Sequence, residues 1–556
     1  MTRTRKTEES DRSAASRLGV WRMAVVAVAV AVAALVAWGL FLPIPYDLMD
    51  EPEYMILAEG YRHGLFHRMP LEPGAPVNLP AGPLLPLALA AFQLIAGDGL
   101  VTAKHAMAAL YPVLIGLLAL LFLRRFHPLW AVIAVLTIAC TFWLAEFSWQ
   151  VMTEIPFAIL VTCWLLALGR AGTRAGRAGW AGAPVLLSLF GFFLRPAGIV
   201  LALSLGIWAG LRRWWVTMVV ALAIVVVVPA AWNHALKVEA EKVGATFGGT
   251  HLSFVASHGS DQSLRGVILG LAVSRPAEVR GMVTRHLPDM LRFAQRYEEQ
   301  PVSDRRGPVA TAAALFFLAS TIVGCVVLLK EQRGDGVVGI LVPLYLVTVL
   351  LFQSTVRFLV PIFPFMVYAA MVAWGRLTPS PTSRHRWLLR TAGIAAALII
   401  GGQALALNGA DIYQAARGRS AWRAGNADAA PYPQFTANYL AAEWIGKAFD
   451  PRTETIGSFK PTAAYLAGHE YSVNLPRADT DLASLRWYLD KRGVTLIIED
   501  GWTPWDASLT GLLREGEGKW FTRLTSVRVG SSVAAVWRYR GTKDGAPAVP
   551  KIAPWG

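Results

Sequence analysis

Long uncharged apolar runs decide what this chain can become. They recur from Trp21 to Leu407, and Met23 to Leu42 carries no charge at all. About 20 consecutive apolar residues cross a hydrocarbon core of about 30 Å as one helix. Of the 556 residues, 55% are apolar and only 16% are charged. A soluble enzyme has about 25% charged residues. The chain therefore reads as a polytopic α-helical membrane protein, and a cytosolic enzyme, a fibrous protein and a disordered chain are excluded. A net charge of +15 in a soluble protein would point to nucleic acid. Here, Arg and Lys in cytoplasmic loops facing anionic lipid account for it, so membrane lipid is an expected partner and nucleic acid is not. Arginine far outnumbers lysine and alanine and glycine abound, a composition typical of GC-rich bacterial genomes.

Candidate spans are 23–42, 104–123, 128–146, 150–168, 181–195, 196–211, 214–232, 309–329, 337–353, 356–375 and 388–407. The run before Met23 holds Arg3, Arg5, Lys6, Arg12, Arg17 and Arg22. Its apolar stretch exceeds the roughly 7–15 residues of a signal peptide core, so residues 1–22 read as a cytoplasmic tail before an uncleaved anchor. A further apolar run, 82–97, is short. If it lies on the outer surface, then Arg124-Arg125, Arg170, Arg212-Arg213, Lys330, Arg333 and Arg376 all face inward. The short turns around Phe147–Trp149 and Gln353–Thr355 then face outward without Lys or Arg. That is a positive-inside pattern. It predicts eleven spans in a plasma membrane, with the N-terminus inside and the C-terminus outside.

Three external parts follow from this reading: loop 43–103, loop 233–308 and the tail 408–556. The tail alternates strand-like and helical patterns. Glu454–Phe459, Val494–Ile498, Trp520–Val529 and Ser532–Tyr539 read as strands, the last two joined at Gly530-Ser531. Thr462–Ala467, Leu482–Lys491 and Leu509–Arg514 read as helices. The expectation is a small extracytoplasmic α/β domain. Cys140, Cys163 and Cys325 all lie in apolar segments, which leaves no cysteine for an external disulfide or metal site.

The residues richest in chemistry sit just after the first span. Asp47, Asp50, Glu51, Glu53 and Glu59 fall close together. A carboxylate partly withdrawn from water makes a better general base, and at a membrane surface it can meet a substrate whose head group is wet and whose tail is in lipid. Such a run equally suits a solvated helix start. Glu154 and Glu146 lie at the outer ends of neighbouring spans, where an acid is costly and by default functional; snorkelling into water is the plain alternative for both. Arg195 and Arg357 have the same placement and suit a phosphate held at that depth; snorkelling to lipid phosphate is the plain alternative. Arg285, His286 and Arg292 of the second loop are further phosphate candidates, against a simple solvated loop. No HExxH spacing or Walker motif occurs. No cofactor is demanded, and a divalent metal held by carboxylates stays open.

Several motifs, in order, resemble those of the GT-C membrane glycosyltransferases, with the aminoarabinose (lipid A) transferases and protein O-mannosyltransferases the nearest likenesses. They are Asp50-Glu51-x-x-Tyr54-x-x-x-Ala58, Pro80-x-Gly82-Pro83-Leu84-Leu85-Pro86 followed by Ala103-Lys104-His105, Thr153-Glu154-Ile155-Pro156, Leu194-Arg195-Pro196-Ala197-Gly198, and Arg357-Phe358-x-x-Pro361-x-x-Pro364. The resemblance covers about residues 20–410. It implies transfer of a sugar, with inversion, from a polyprenyl-phosphate donor to a lipid, glycan or protein acceptor on the outer face. Asp50 matches the family's general base, Glu51 would orient it or the acceptor, and Glu154 matches the second acidic position. The sequence departs from the family at Ala81-Gly82-Pro83-Leu84, where a Lys is expected; this shifts the holding of the donor phosphate toward Arg195, Arg357, Arg285 and His286. A non-catalytic transporter or flippase of lipid-linked glycans is the alternative. It would not require Asp50-Glu51, and a transporter would show repeats that this chain lacks.

Overall fold

A computed structural model of the protein describes residues 2–43, 51–68, 77, 82–97, 99–174, 181–242, 276–291, 308–331, 333–352, 356–377, 402, 406–424, 426, 429, 433–450, 452–458, 462–469, 471–475, 481–499, 504–530 and 532–541. The molecule is mostly helical. Among the described residues, five helical stretches are long and apolar enough to cross a membrane: Gly19–Leu40, Leu100–Leu123, Glu154–Ala171, Trp215–Lys242 and Thr311–Glu331. They belong to α1 (Thr2–Leu40), α4 (Leu100–Leu123), α7 (Glu154–Arg174), α10 (Trp215–Lys242) and α11 (Pro308–Glu331). Shorter helices fill in around them: α2 (Glu51–Arg62), α3 (Leu84–Ala96), α5 (Pro128–Ala139), α6 (Phe142–Glu146), α8 (Gly182–Leu194), α9 (Ile199–Leu211), α12 (Val338–Phe352), α13 (Val356–Leu359) and α14 (Phe363–Leu377). The expected span 388–407 lies almost wholly outside the described residues.

The short helices have local causes. The expected span 128–146 is broken between α5 and α6. The Thr141 hydroxyl turns back onto the Thr137 carbonyl, and the amide of Phe142 donates to Oδ1 of Asn408 at 2.9 Å instead of continuing the helical ladder. α8 stops at Arg195, which precedes Pro196 and is extended (φ −154°, ψ 130°), as a residue before proline prefers. A 3₁₀ turn, Pro196–Gly198, then reverses the chain into α9. That reversal needs glycine: a Cβ on Gly198 would lie 2.0 Å from the Gly191 carbonyl oxygen.

The bundle has two distinct ends. α4 alone rises about 36 Å. Just past its C-terminus, Arg125 pairs with Asp335 at 2.6 Å and with Glu331, which also holds Arg376 at 2.6 Å. Gly334 packs on Gly169, and Gly336 on the Trp208 ring, so the ends of α7 and α9 lie here too. Lys104, in the first turns of α4, marks the opposite end.

The C-terminal residues form a five-stranded sheet of order β2-β1-β3-β5-β4, with β1 (Thr455–Ser458), β2 (Tyr471–Asn474), β3 (Leu496–Glu499), β4 (Phe521–Val529) and β5 (Ser532–Tyr539). β1 runs parallel to β2 and β3; β5 is antiparallel to β3 and β4, and Gly530 at φ 55° turns the β4–β5 hairpin. Side chains alternate across the sheet as the pleat requires. Leu496, Ile498 and Val536 pack on α16 (Pro433–Ala448), whereas Ile497, Ala535 and Trp537 pack with Leu485, Leu489 and Leu513. Strand β2 and helix α16 add to the elements expected from the sequence. One boundary also differs. The expected soluble tail begins at 408, but α15 (406–423) packs on the bundle, through Ile412, Ala415 and Trp422.

Candidate active site

The connector between α6 and α7 organises the end of the bundle that carries Lys104. The sequence suggests a short outer turn around Phe147–Trp149. Instead, every residue from Phe147 to Glu154 is buried. The reason is ionic and aromatic: three charged partners, Glu51, Lys104 and Arg419, converge on this connector from three other parts of the chain.

Glu51 is the first residue of α2 and is fully buried. Its Oε1 accepts from the backbone amide of Val151 at 2.8 Å and lies 3.0 Å from Nζ of Lys104. An acid followed by proline is a favourable helix start: the carboxylate faces the positive end of the helix, and proline gives up an amide that needs no partner there. Lys104 is itself fully buried and lies 4.1 Å from the centre of the Trp149 ring. The solvated reading of Glu51 is thus overturned, because a buried carboxylate needs this pairing. Asp50, the expected base, lies outside the described residues, one peptide bond before Glu51.

Glu154 opens α7 with Pro156 in the same first turn, repeating the local design of α2. Its Oε1 is 2.7 Å from Nε of Arg357 and 3.2 Å from Nη1 of Arg195. The sequence places these three charges at one depth, and the structure joins them. One oxygen of Glu154 thus meets two guanidinium groups. Oε2 of Glu154 and the hydroxyl of Tyr345 are buried without a hydrogen-bond partner. The Arg195 guanidinium sits over the Phe358 ring at 4.7 Å. Gly82 closes against this corner: a Cβ there would stand 2.3 Å from the Phe193 carbonyl oxygen. The proline-rich segment therefore abuts the backbone that presents Arg195.

Arg285 and His286 come from a different segment of the chain. They lie on a π-helical turn, Met282–His286, Arg285 exposed and His286 half-buried. The helical segment 276–291 that carries them packs against α11 and α13, the helix of Arg357. Arg292 is outside the described residues. Among the described residues, no group of three or more His, Cys, Asp or Glu side chains is arranged to hold a metal ion.

Sequence reasoning missed two partners. Lys104 is one. The other is Arg419 of α15, which is buried and holds both oxygens of Glu146 through Nη2 at 2.7 and 2.9 Å. Its guanidinium lies 5.1 Å from the Trp149 ring, so two cations meet one indole. A lone lysine in an apolar helix was the available signal for the first, since such a charge must be paired.

No protein-family model matches this chain, and no curated protein matches it. Solved structures do. The oligosaccharyltransferase AglB of Archaeoglobus fulgidus, solved with an inhibitory peptide and a dolichol-phosphate, is similar with a TM-score of 0.52 and 13% identity, over 86% of this chain and 69% of that one. ArnT of Cupriavidus metallidurans in the apo state gives a TM-score of 0.52 and 14% identity, over 93% of this chain and 98% of that one. The chain has the GT-C fold. That fold accounts for the membrane helices and for the C-terminal sheet in one architecture, and it bears out the resemblance read from the motifs.

Proposed function

We propose that this protein is a membrane glycosyltransferase that moves a sugar from a polyprenyl-phosphate donor to a lipid, glycan or protein acceptor. The observation that supports this most is the Arg195–Glu154–Arg357 cluster, centred on a buried carboxylate at the same end of a GT-C fold as Glu51. A polyprenyl-phosphate sugar is a phosphodiester with one negative charge, a group that guanidinium donors bind well. When the sugar leaves, the phosphate gains a second negative charge, and preset guanidinium groups stabilise that change. Asp50 takes the proton from the acceptor hydroxyl. The acceptor oxygen bonds to the anomeric carbon from the face opposite the phosphate, the carbon–oxygen bond to phosphate breaks, and the configuration inverts. Glu51, fixed by Lys104 and the Val151 amide, holds the start of α2 next to Asp50. Glu154 orients both arginines. Arg285 and His286 flank the donor from the neighbouring segment.

The site end faces outward in this proposal, because Arg125, Arg212, Arg333 and Arg376 share the other end and basic residues stay on the cytoplasmic side. Labelling of Ser484→Cys, but not Ser380→Cys, from outside intact cells is the expected result. The reaction is tested with purified protein in proteoliposomes and a polyprenyl-phosphate sugar. Mass spectrometry should find free polyprenyl phosphate and a glycosylated acceptor. Movement of intact donor across the bilayer without cleavage would instead identify a flippase.

A further inference from the structure

Arg419 lies in the stretch that reads as a soluble tail, yet its side chain is 1% exposed inside the bundle. It makes its ion pair with one nitrogen, Nη2, which reaches both oxygens of Glu146. Nε and Nη1 are buried with no hydrogen-bond partner. An arginine kept for stability alone would have those donors satisfied, since burying them unpaired is costly and an apolar replacement often serves better. Its location shows what it does instead. Glu146 ends α6, immediately before the buried connector, and Arg419 also covers Trp149 in the middle of it. The same connector gives the Val151 amide to Glu51, and Lys104 ties Glu51 to Trp149. A second link runs from the same helix: Nη2 of Arg423 donates to the Phe41 carbonyl at 2.6 Å, at the end of α1 where the chain leads toward Asp50.

We infer that Arg419 is a positioning residue. Through Glu146 and Trp149 it clamps the 147–153 connector, and the connector fixes Glu51 and the start of α2. Helix α15 leads directly to the C-terminal sheet domain, so the clamp ties that domain to the catalytic end of the bundle. This inference rests on the proposed transferase reading for its effect on turnover, but its structural part does not.

Two readouts separate those parts. Hydrogen exchange of peptides covering 147–153 and 51–58 is measured in the full-length protein, wild type and Arg419→Gln, with sugar transfer measured on the same preparations. Arg419→Gln should speed exchange in both peptides at least about tenfold. It should lower kcat about 10–100-fold and leave KM for the donor within about twofold. Arg419→Lys should restore part of both. Glu146→Gln should reproduce the effect, and the double variant should be no worse than either single one, because members of one clamp are not additive. If Arg419→Gln fails to fold, Glu146→Gln and Arg419→Lys carry the test. Unchanged exchange at 51–58, or a loss confined to donor KM, would overturn the inference. Faster exchange in Arg419→Gln, together with no sugar transfer by the wild-type protein, would leave the clamp standing and remove the transferase reading instead.

Discussion

The two ends of the helical bundle carry ion pairs of similar composition and different design. At the Arg125 end, Glu331 accepts from Arg125 and Arg376, and Asp335 accepts from Arg125 and from the Tyr368 hydroxyl at 2.7 Å. Both acids are partly exposed, with side chains 11% and 18% accessible. At the Lys104 end, Glu51, Glu146 and Glu154 are all fully buried. There, an oxygen of Glu154, two nitrogens of Arg419 and the Tyr345 hydroxyl have no hydrogen-bond partner. Ion pairs at a water edge can satisfy every group cheaply. Buried charges with groups left over are unfavourable for stability alone, which fits a site made ready for a charged ligand.

The contrast breaks first at Glu154. Glu154→Gln removes a fully buried carboxylate between the buried Arg195 and the partly exposed Arg357, and losing one partner of a buried pair costs about 3–5 kcal/mol. Thermal unfolding should show this loss, and bound polyprenyl phosphate should recover part of it by supplying the missing negative charge. A variant as stable as wild type would remove the cluster from the account. Arg195→Gln should act on ligand binding more than on the fold. A charged hydrogen bond is worth about 1.5–3 kcal/mol, so donor affinity should fall roughly 10–150-fold in a titration with a donor analogue. The smallest effect belongs to the opposite end. Glu331→Gln should lower stability by about 1–3 kcal/mol and leave the kcat and KM of the folded protein unchanged. A clear change in donor KM there would mean that the two ends are not functionally distinct.

The sequence displays one side of each pairing better than the other. Glu51, Glu154, Arg195 and Arg357 stand out because a charge beside an apolar run is conspicuous, and the structure unites three of them. Glu146 and Arg419 meet across 273 residues. Arg419 also sits with Arg417 and Arg423 in a polar stretch that reads as solvated, so nothing local marks it as buried. The sheet was legible strand by strand, except β2, Tyr471–Asn474, which holds a single β-branched residue, Val473. The connector 147–153 was not legible either. Its burial depends on partners from α2, α4 and α15, and an aromatic stretch between two spans looks like an interfacial turn.

The central claim is that chemistry occurs at the Lys104 end with Asp50 as its base. Single-turnover transfer from a radiolabelled polyprenyl-phosphate sugar, by wild type and Asp50→Asn in the same lipid, tests it most directly. Asparagine keeps the size of the side chain but cannot take the proton, and general base catalysis is worth about 10²–10⁴-fold. The account predicts a loss of that size with donor binding retained. Transfer by Asp50→Asn at the wild-type rate would contradict it.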